Sequence, residues 1–288
     1  MDVDVFVLNL LHGVSFGMVL FLIAAGMSIV IGIMGIINLA HGALYMFGGY
    51  VGWTIAIKYG LNFWLAVLAG GLAAAGVGLI IERGFLRRLY KQLNEQVLLT
   101  FGFVYIITNV CLWIWGGGAK MPFTAPELSF NINIAGLTYP MARIAIILIG
   151  LFLAVFLWRL QDKTRVGAIV RAGMDDKEMT MGLGINLERI TTGVFLLAAF
   201  IAGSAGVIGA KVLGVCTVLG IDTLLLALIV IIVGGIGSIQ GALVGALTIG
   251  VIDAFGRSLF PQFAMFTMYV AMMVILIVKP SGLIGRKV

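Results

Sequence analysis

Six stretches of this chain are apolar almost throughout and each is about as long as a bilayer core is thick, which takes roughly 20 helical residues to cross. They run Leu10–Ile33, Leu39–Ile57, Phe63–Ile81, Val97–Trp115, Tyr139–Trp158 and Ile190–Ala210. Hydrocarbon offers no partner for a backbone amide, so a segment that lives there closes its own hydrogen bonds as a helix. With 62% hydrophobic and only 10% charged residues over 288 positions, and a mean hydropathy of +1.18, the chain cannot clothe itself as a soluble domain. The expected class is an all-α polytopic membrane protein forming a single domain over residues 1–288. The acidic start, with Asp2 and Asp4 and no small-residue cleavage pattern, reads as a retained first span rather than a secretory signal.

Beyond Ala210 the pattern breaks. Leu224–Val233 is only ten residues long, about 15 Å as a helix and half a hydrocarbon core, before Gly234, Gly235 and Gly237 interrupt it. It is read as a re-entrant half helix returning through Ile239–Phe255, with a kinked region over Leu224–Phe255 as the alternative. Phe263–Val278 follows, giving about eight spanning or near-spanning elements.

Between the fifth and sixth spans lies the longest polar segment, Arg159–Arg189, holding eleven of the thirty formal charges, six basic and five acidic. Val170, Met174, Met181 and Ile185 fall on one side of a helical wheel, with Asp175, Asp176, Lys177 and Glu178 mostly elsewhere. Asp175 and Glu178 resemble a capping box, and Gly182 and Gly184 supply a stop, so a short helix from Asp176 to about Met181 is expected. Mixed charge argues against a helix lying on anionic lipid, which selects Lys and Arg. The segment reads as a docking surface held at the membrane.

Lys and Arg set the orientation. Arg83, Arg87, Arg88 and Lys91, the six of the central segment, and Lys279, Arg286 and Lys287 share one face, whereas Lys58, Lys120, Arg143, Lys211 and Arg257 occupy the other. The richer face is expected in the cytoplasm, with the N terminus outside and the C terminus inside. The net charge of +6 therefore reports topology rather than a nucleic-acid partner.

Most of the 40 glycines fit close helix packing. Two clusters differ because they carry polar groups at expected membrane depth: Asn38 and His41 in one, Ser238 and Gln240 in the other. These four, with Thr100, Thr108 and Asn109 on the fourth span, are candidate lining for a hydrated path, weighed against a kinked helix with locally satisfied side chains. The two clusters lie in opposite halves and suggest a pseudo-repeated core around the central segment. Cys111 and Cys216 have no metal spacing and read as packing residues.

Three segments carry a resemblance over essentially the whole chain. GIINLAHGALYMFGGY (residues 35–50), GAIVRAGMDDKEMTMGLGIN (167–186) and GGIGSIQGALVGALTIG (234–250) are similar, in order, to the signatures of the high-affinity branched-chain amino acid permeases of ABC importers, the H-type subunit. In that family Arg-Ala and Gly-Ile pairs, here Arg171–Ala172 and Gly184–Ile185, bracket a coupling helix that includes Met174, Asp175, Asp176, Glu178 and Met181. Met179–Thr180–Met181 stands where relatives more often carry alanines. The resemblance implies a bacterial inner-membrane permease paired with a second, M-type permease. Two cytoplasmic ATPases holding ATP and Mg, and a periplasmic binding protein, complete the implied assembly. The chain has no G-x-x-x-x-G-K-[ST] motif and no credible catalytic or metal constellation, so the expectation is a non-enzymatic subunit that binds no cofactor itself. Hydrophobic amino acids are the implied cargo, with urea, short amides or aromatic acids as alternatives. A secondary transporter or channel would place coupling carboxylates in its spans, where only Asp253 qualifies; a membrane-embedded enzyme would need more convergent polar chemistry than Asn38 and His41 supply.

Overall fold

A computed structural model describes residues 3–35, 38–89, 92–134 and 137–284, apart from the side chains of residues 33, 34, 134, 174, 175, 177, 178 and 265. Each of the six apolar runs is taken up by a helix, apart from Leu39 at the head of the second and Tyr139 and Pro140 at the head of the fifth: α1 (Val3–Met34), α2 (Ala40–Trp53) prolonged by a π-helical turn Thr54–Lys58, α3 (Phe63–Gly84), α4 (Leu93–Trp115), α5 (Met141–Lys163) and, after the central segment, α8 (Leu187–Leu213). The central segment contributes α6 (Arg165–Asp175) and α7 (Lys177–Gly182). α9 (Leu219–Gly234), α10 (Ile239–Leu259) and α11 (Ala264–Val278) complete the chain. Among the described residues six helices are long and apolar enough to cross a membrane, α1, α3, α4, α5, α8 and α10, so the run Leu39–Ile57, expected as a full span, is not one of them; two shorter apolar helices, Leu219–Gly234 and Phe266–Val278, lie beside them. A two-stranded antiparallel hairpin, β1 (Asn131–Ile134) and β2 (Leu137–Pro140), caps the start of α5 and has no counterpart in the sequence reading.

The helices form two inverted halves. α1 packs antiparallel on α10, where Gly13 and Gly17 abut the backbone of Gly250 and Ala246. In the matching position α3 packs antiparallel on α8, where Gly71 and Gly78 face Ser204 and Ala199. α1 and α8 run in opposite directions: Gly26 meets Ala198, while Ser15 and Val19 share a small cavity with Gly209 and Val212. Each then breaks in the same way. α1 ends at Gly35, φ +69°, and α2 resumes at Ala40; α8 ends at Gly214, φ +80°, and α9 resumes at Leu219. Both are glycine C-caps in the left-handed region that L side chains avoid, with Gly35 N donating to Ile31 O at 2.8 Å and Gly214 N to Ala210 O at 3.0 Å. The third helix of each half starts on a side-chain cap: Asn62 Oδ1 accepts from Trp64 N at 2.8 Å, and Ser238 Oγ accepts from Gly241 N at 3.0 Å.

Two sequence expectations are corrected here. The glycine cluster that holds Asn38 and His41 matches the break at 214–220, not the cluster that holds Ser238 and Gln240. And α9 begins five residues before Leu224, so its sixteen residues reach about 24 Å rather than 15 Å. The residues before α9 pair with Lys120 at one end of the bundle, and the turn after it lies beside Gln161 and Arg171 at the end that carries the central segment, so this stretch runs from end to end instead of dipping in and returning.

Candidate functional site: a broken-helix centre and an exposed apolar tip

His41 Nε2 lies 3.0 Å from Ile23 O. This contact sets the first turn of α2 beside the middle of α1, not at either end, so α2 starts inside the bundle. A helix start there leaves orphan amides that hydrocarbon cannot satisfy. Neighbouring side chains supply the partners: Asn38 Oδ1 accepts from Ala40 N at 3.1 Å, and Thr100 Oγ1 on α4 accepts from Leu39 N at 3.3 Å while donating to Val97 O at 2.9 Å. Asn38, His41 and Thr100 are all buried. The start of α9 meets the start of α2 at this level, and a Cβ on Gly42 would collide with the carbonyl oxygen of Gly220. Sequence reasoning passed over Gly220, whose only signal was its place in a second glycine-led break.

The structure thus brings together three of the seven residues read as lining a path, and leaves Thr108 half-buried further along α4. Asn109 stands apart on the outer face of α4, with its amide donating to Tyr105 O of the same helix at 2.8 Å. Ser238 and Gln240 lie at the end of the bundle, apart from the α2 start, lining a cavity with Trp158 and Arg171. Asp253 is buried near the opposite end and accepts from Arg257 Nε at 2.7 Å.

In the central segment Thr164 caps α6 by accepting from Gly167 N at 3.1 Å. Asp176, not Asp175, caps α7, with Oδ1 accepting from Met179 N at 2.9 Å and its carbonyl from Thr180 Oγ1 at 2.7 Å. The cap therefore falls one residue later than expected, and Met179 at the third helical position cannot close a capping box. Gly184, φ +77°, ends the turn that follows. Val170 packs inward with Val194, so it does not share an outer face with Met181. Arg171 turns back on α5, donating to Gln161 O and lying 3.4 Å from Asp162 Oδ1. Apart from Val166 on α6, the exposed large apolar groups are Met179, Met181 and Leu183, with 68%, 49% and 72% of their surface open, so α7 and the residue that ends it present an apolar tip. Ala172 is exposed and Ile185 half-buried; the side chains of Met174, Asp175 and Glu178 lie outside the described residues. The segment is tied to the rest of the bundle where Arg87, after α3, pairs with Glu188 in the first turn of α8. Just above, Thr192 Oγ1 donates to the fully buried Glu82 Oε1 at 3.0 Å.

The family model described as the permease component of the branched-chain amino acid transport system matches residues 9–278. The chain belongs to that family. It is 30% identical to the high-affinity branched-chain amino acid transport system permease protein LivH of Salmonella typhimurium, over 98% of this chain and 96% of that one. It is likewise 30% identical to the permease protein BraD of Pseudomonas aeruginosa, over 96% and 95%. LivM of Escherichia coli matches at 26% over 93% of this chain and 68% of its own length. Among solved structures, PsaBC from Streptococcus pneumoniae in complex with Fab superposes with a TM-score of 0.50 at 12% identity, covering 93% of this chain and 89% of that one, a likeness of fold alone. The multi-pass membrane architecture read from the apolar runs is that of a transport permease.

Proposed function

We propose that this permease is the non-catalytic membrane subunit of an ABC importer that moves branched-chain or other hydrophobic amino acids across the bacterial inner membrane. Separate ATPase subunits drive it, and ATP and Mg belong to them. The observation that carries the reading is the apolar tip of α7, where Met179 and Met181 on a capped helix and Leu183 just after it are held outward at the end of a family permease. Solvent-exposed apolar groups clustered on one short element mark a contact surface. That end is cytoplasmic in this reading, because Arg83, Arg87, Arg88 and the central segment gather there. Similarity to both LivH and LivM supports a pair of related permeases, with the amino-acid cargo taken from their names. A periplasmic binding protein would deliver cargo to the opposite end.

In this mechanism the ATPases engage α7 together with Arg171, Ala172, Met174, Asp175, Asp176, Glu178, Gly184 and Ile185. Their closure moves α6 and α7 as a unit. The Arg87–Glu188 pair and the Glu82–Thr192 bond carry the displacement into α3 and α8. The starts of α2 and α9, with Asn38, His41 and Thr100, form the element that opens for cargo. A channel or secondary transporter is less well supported, since the buried carboxylates in the spans are engaged, Asp253 by Arg257 and Glu82 by Thr192.

Recovery of the ATPases with the tagged permease tests the docking. Replacing Met179 and Met181 with Asp puts charge into a contact that must be dry, an expected cost of about 2–5 kcal/mol, and the ATPases should be lost. Charge reversal at Asp176 and Glu178 touches a wetter rim worth about 0–1 kcal/mol, and assembly should persist. Equal recovery from the Met179/Met181 variant and the wild type would remove α7 as the docking surface.

A further inference from the structure

At the end of the bundle carrying the central segment, four stretches distant in sequence close around a cavity of about 410 Å³, within the roughly 300–1,000 Å³ of small-molecule sites. Trp158, Gln161 and Asp162 come from the last turns of α5, Arg171 from α6, and Ser238 and Gln240 from the start of α10. Ile236 and Ile284 add an apolar margin. The mechanism above uses Arg171 as part of the moving segment but gives this cavity no task.

We propose that the cavity binds a free α-amino acid as its zwitterion, the Arg171 guanidinium taking the carboxylate and the Asp162 carboxylate taking the ammonium. The choice of an amino acid as probe rests on the transport reading; the recognition chemistry rests on the walls. Arg171 Nη1 stands 3.4 Å from Asp162 Oδ1, whereas a closed charge-assisted bond measures about 2.7–2.9 Å. The two charges therefore lie side by side without being locked together, and with both side chains partly exposed their pairing contributes little that a ligand would have to replace. Arg171 has five N–H donors, of which the Gln161 carbonyl engages one nitrogen. The Gln240 and Gln161 amides provide further donors and acceptors, while Trp158, Ile236 and Ile284 give an aliphatic side chain apolar walls. A lone anion would leave Asp162 facing its negative charge, and a lone cation would leave Arg171 facing its positive one. A ligand that carries both signs a few ångströms apart satisfies both.

Equilibrium binding to the purified importer complex, with the binding protein left out, tests this. The probes are L-leucine, L-leucinamide, which lacks the carboxylate, and 4-methylpentanoate, which lacks the amine. Leucine should bind, and each analogue should bind roughly tenfold more weakly or worse, the loss expected for one charge-assisted contact. In Asp162→Asn the preference for leucine over 4-methylpentanoate should disappear, and Gln240→Leu should weaken leucine. Absence of leucine binding, equal binding of the analogues, or leucine affinity unchanged in both variants, which would put the ligand elsewhere in the permease, each overturns the proposal. Leucine uptake by the same complex in vesicles is read separately: uptake without binding at this cavity defeats the inference alone, and absence of uptake defeats the cargo assignment instead.

Discussion

A Cβ placed on Gly42 would overlap the carbonyl oxygen of Gly220, whereas one on Gly76 would meet nothing within 4 Å. Backbone cannot yield as a side chain tip does, so Gly42→Ala should cost about 1–3 kcal/mol by overpacking, read as a lower unfolding temperature of the purified permease. Gly76→Ala should leave that temperature unchanged or slightly raised. Asn38 and His41 make a different prediction. Leucine at either position fits hydrocarbon but removes a polar partner from the α2 start, a loss of about 1 kcal/mol in membrane helices, so assembly should survive while uptake falls. Full uptake in both variants would return these residues to simple packing. Their presence was legible in the sequence, because a polar side chain in an apolar run is costly wherever it goes. Its partner was not legible: Asn109 looks the same in the string yet satisfies itself on Tyr105 of its own helix. Two adjacent aspartates offered two helix starts, and only the chain path into α7 selects Asp176.

Helix existence was readable wherever an apolar run exceeded about twenty residues, since length alone forces the assignment. α9 was read short because Gly220, Asp222 and Thr223 interrupt the hydrophobic run without interrupting the helix. The hairpin β1–β2 escaped notice because four-residue strands carry too little alternation to register against a helical background. Contacts between helices leave no trace in a single sequence, and the Thr192–Glu82 bond between α8 and α3 is one such contact. Thr192→Val keeps the shape but withdraws a donor from a fully buried carboxylate, at an expected cost of about 1–3 kcal/mol. Thr192→Ser should recover most of it, and thermal unfolding of the two variants in detergent measures the difference. If valine and serine behave alike, the bond contributes nothing to holding α3 on α8.

For the whole molecule, the contacts gather Arg87, Glu188, Arg171 and the segment after α11 at one end, with Lys120, Trp53 and the Arg143–His12 contact at the other. A reporter fused after Lys287 or within Gln92–Asn94 should therefore read cytoplasm, and one within Ala119–Glu127 should read periplasm. The reverse result for Ala119–Glu127 would invert the molecule and remove α7 from reach of the ATPases. That the question needs a reporter follows from the inverted halves. α1–α3 and α8–α10 are one folding plan laid down once in each direction, so hydrocarbon sees nearly the same six-helix core whichever way it is inserted. Up and down are then decided outside the core, by a few cations on short connections. Moving three or four of them from one end to the other would be expected to yield a population threaded the wrong way round, folded and inert.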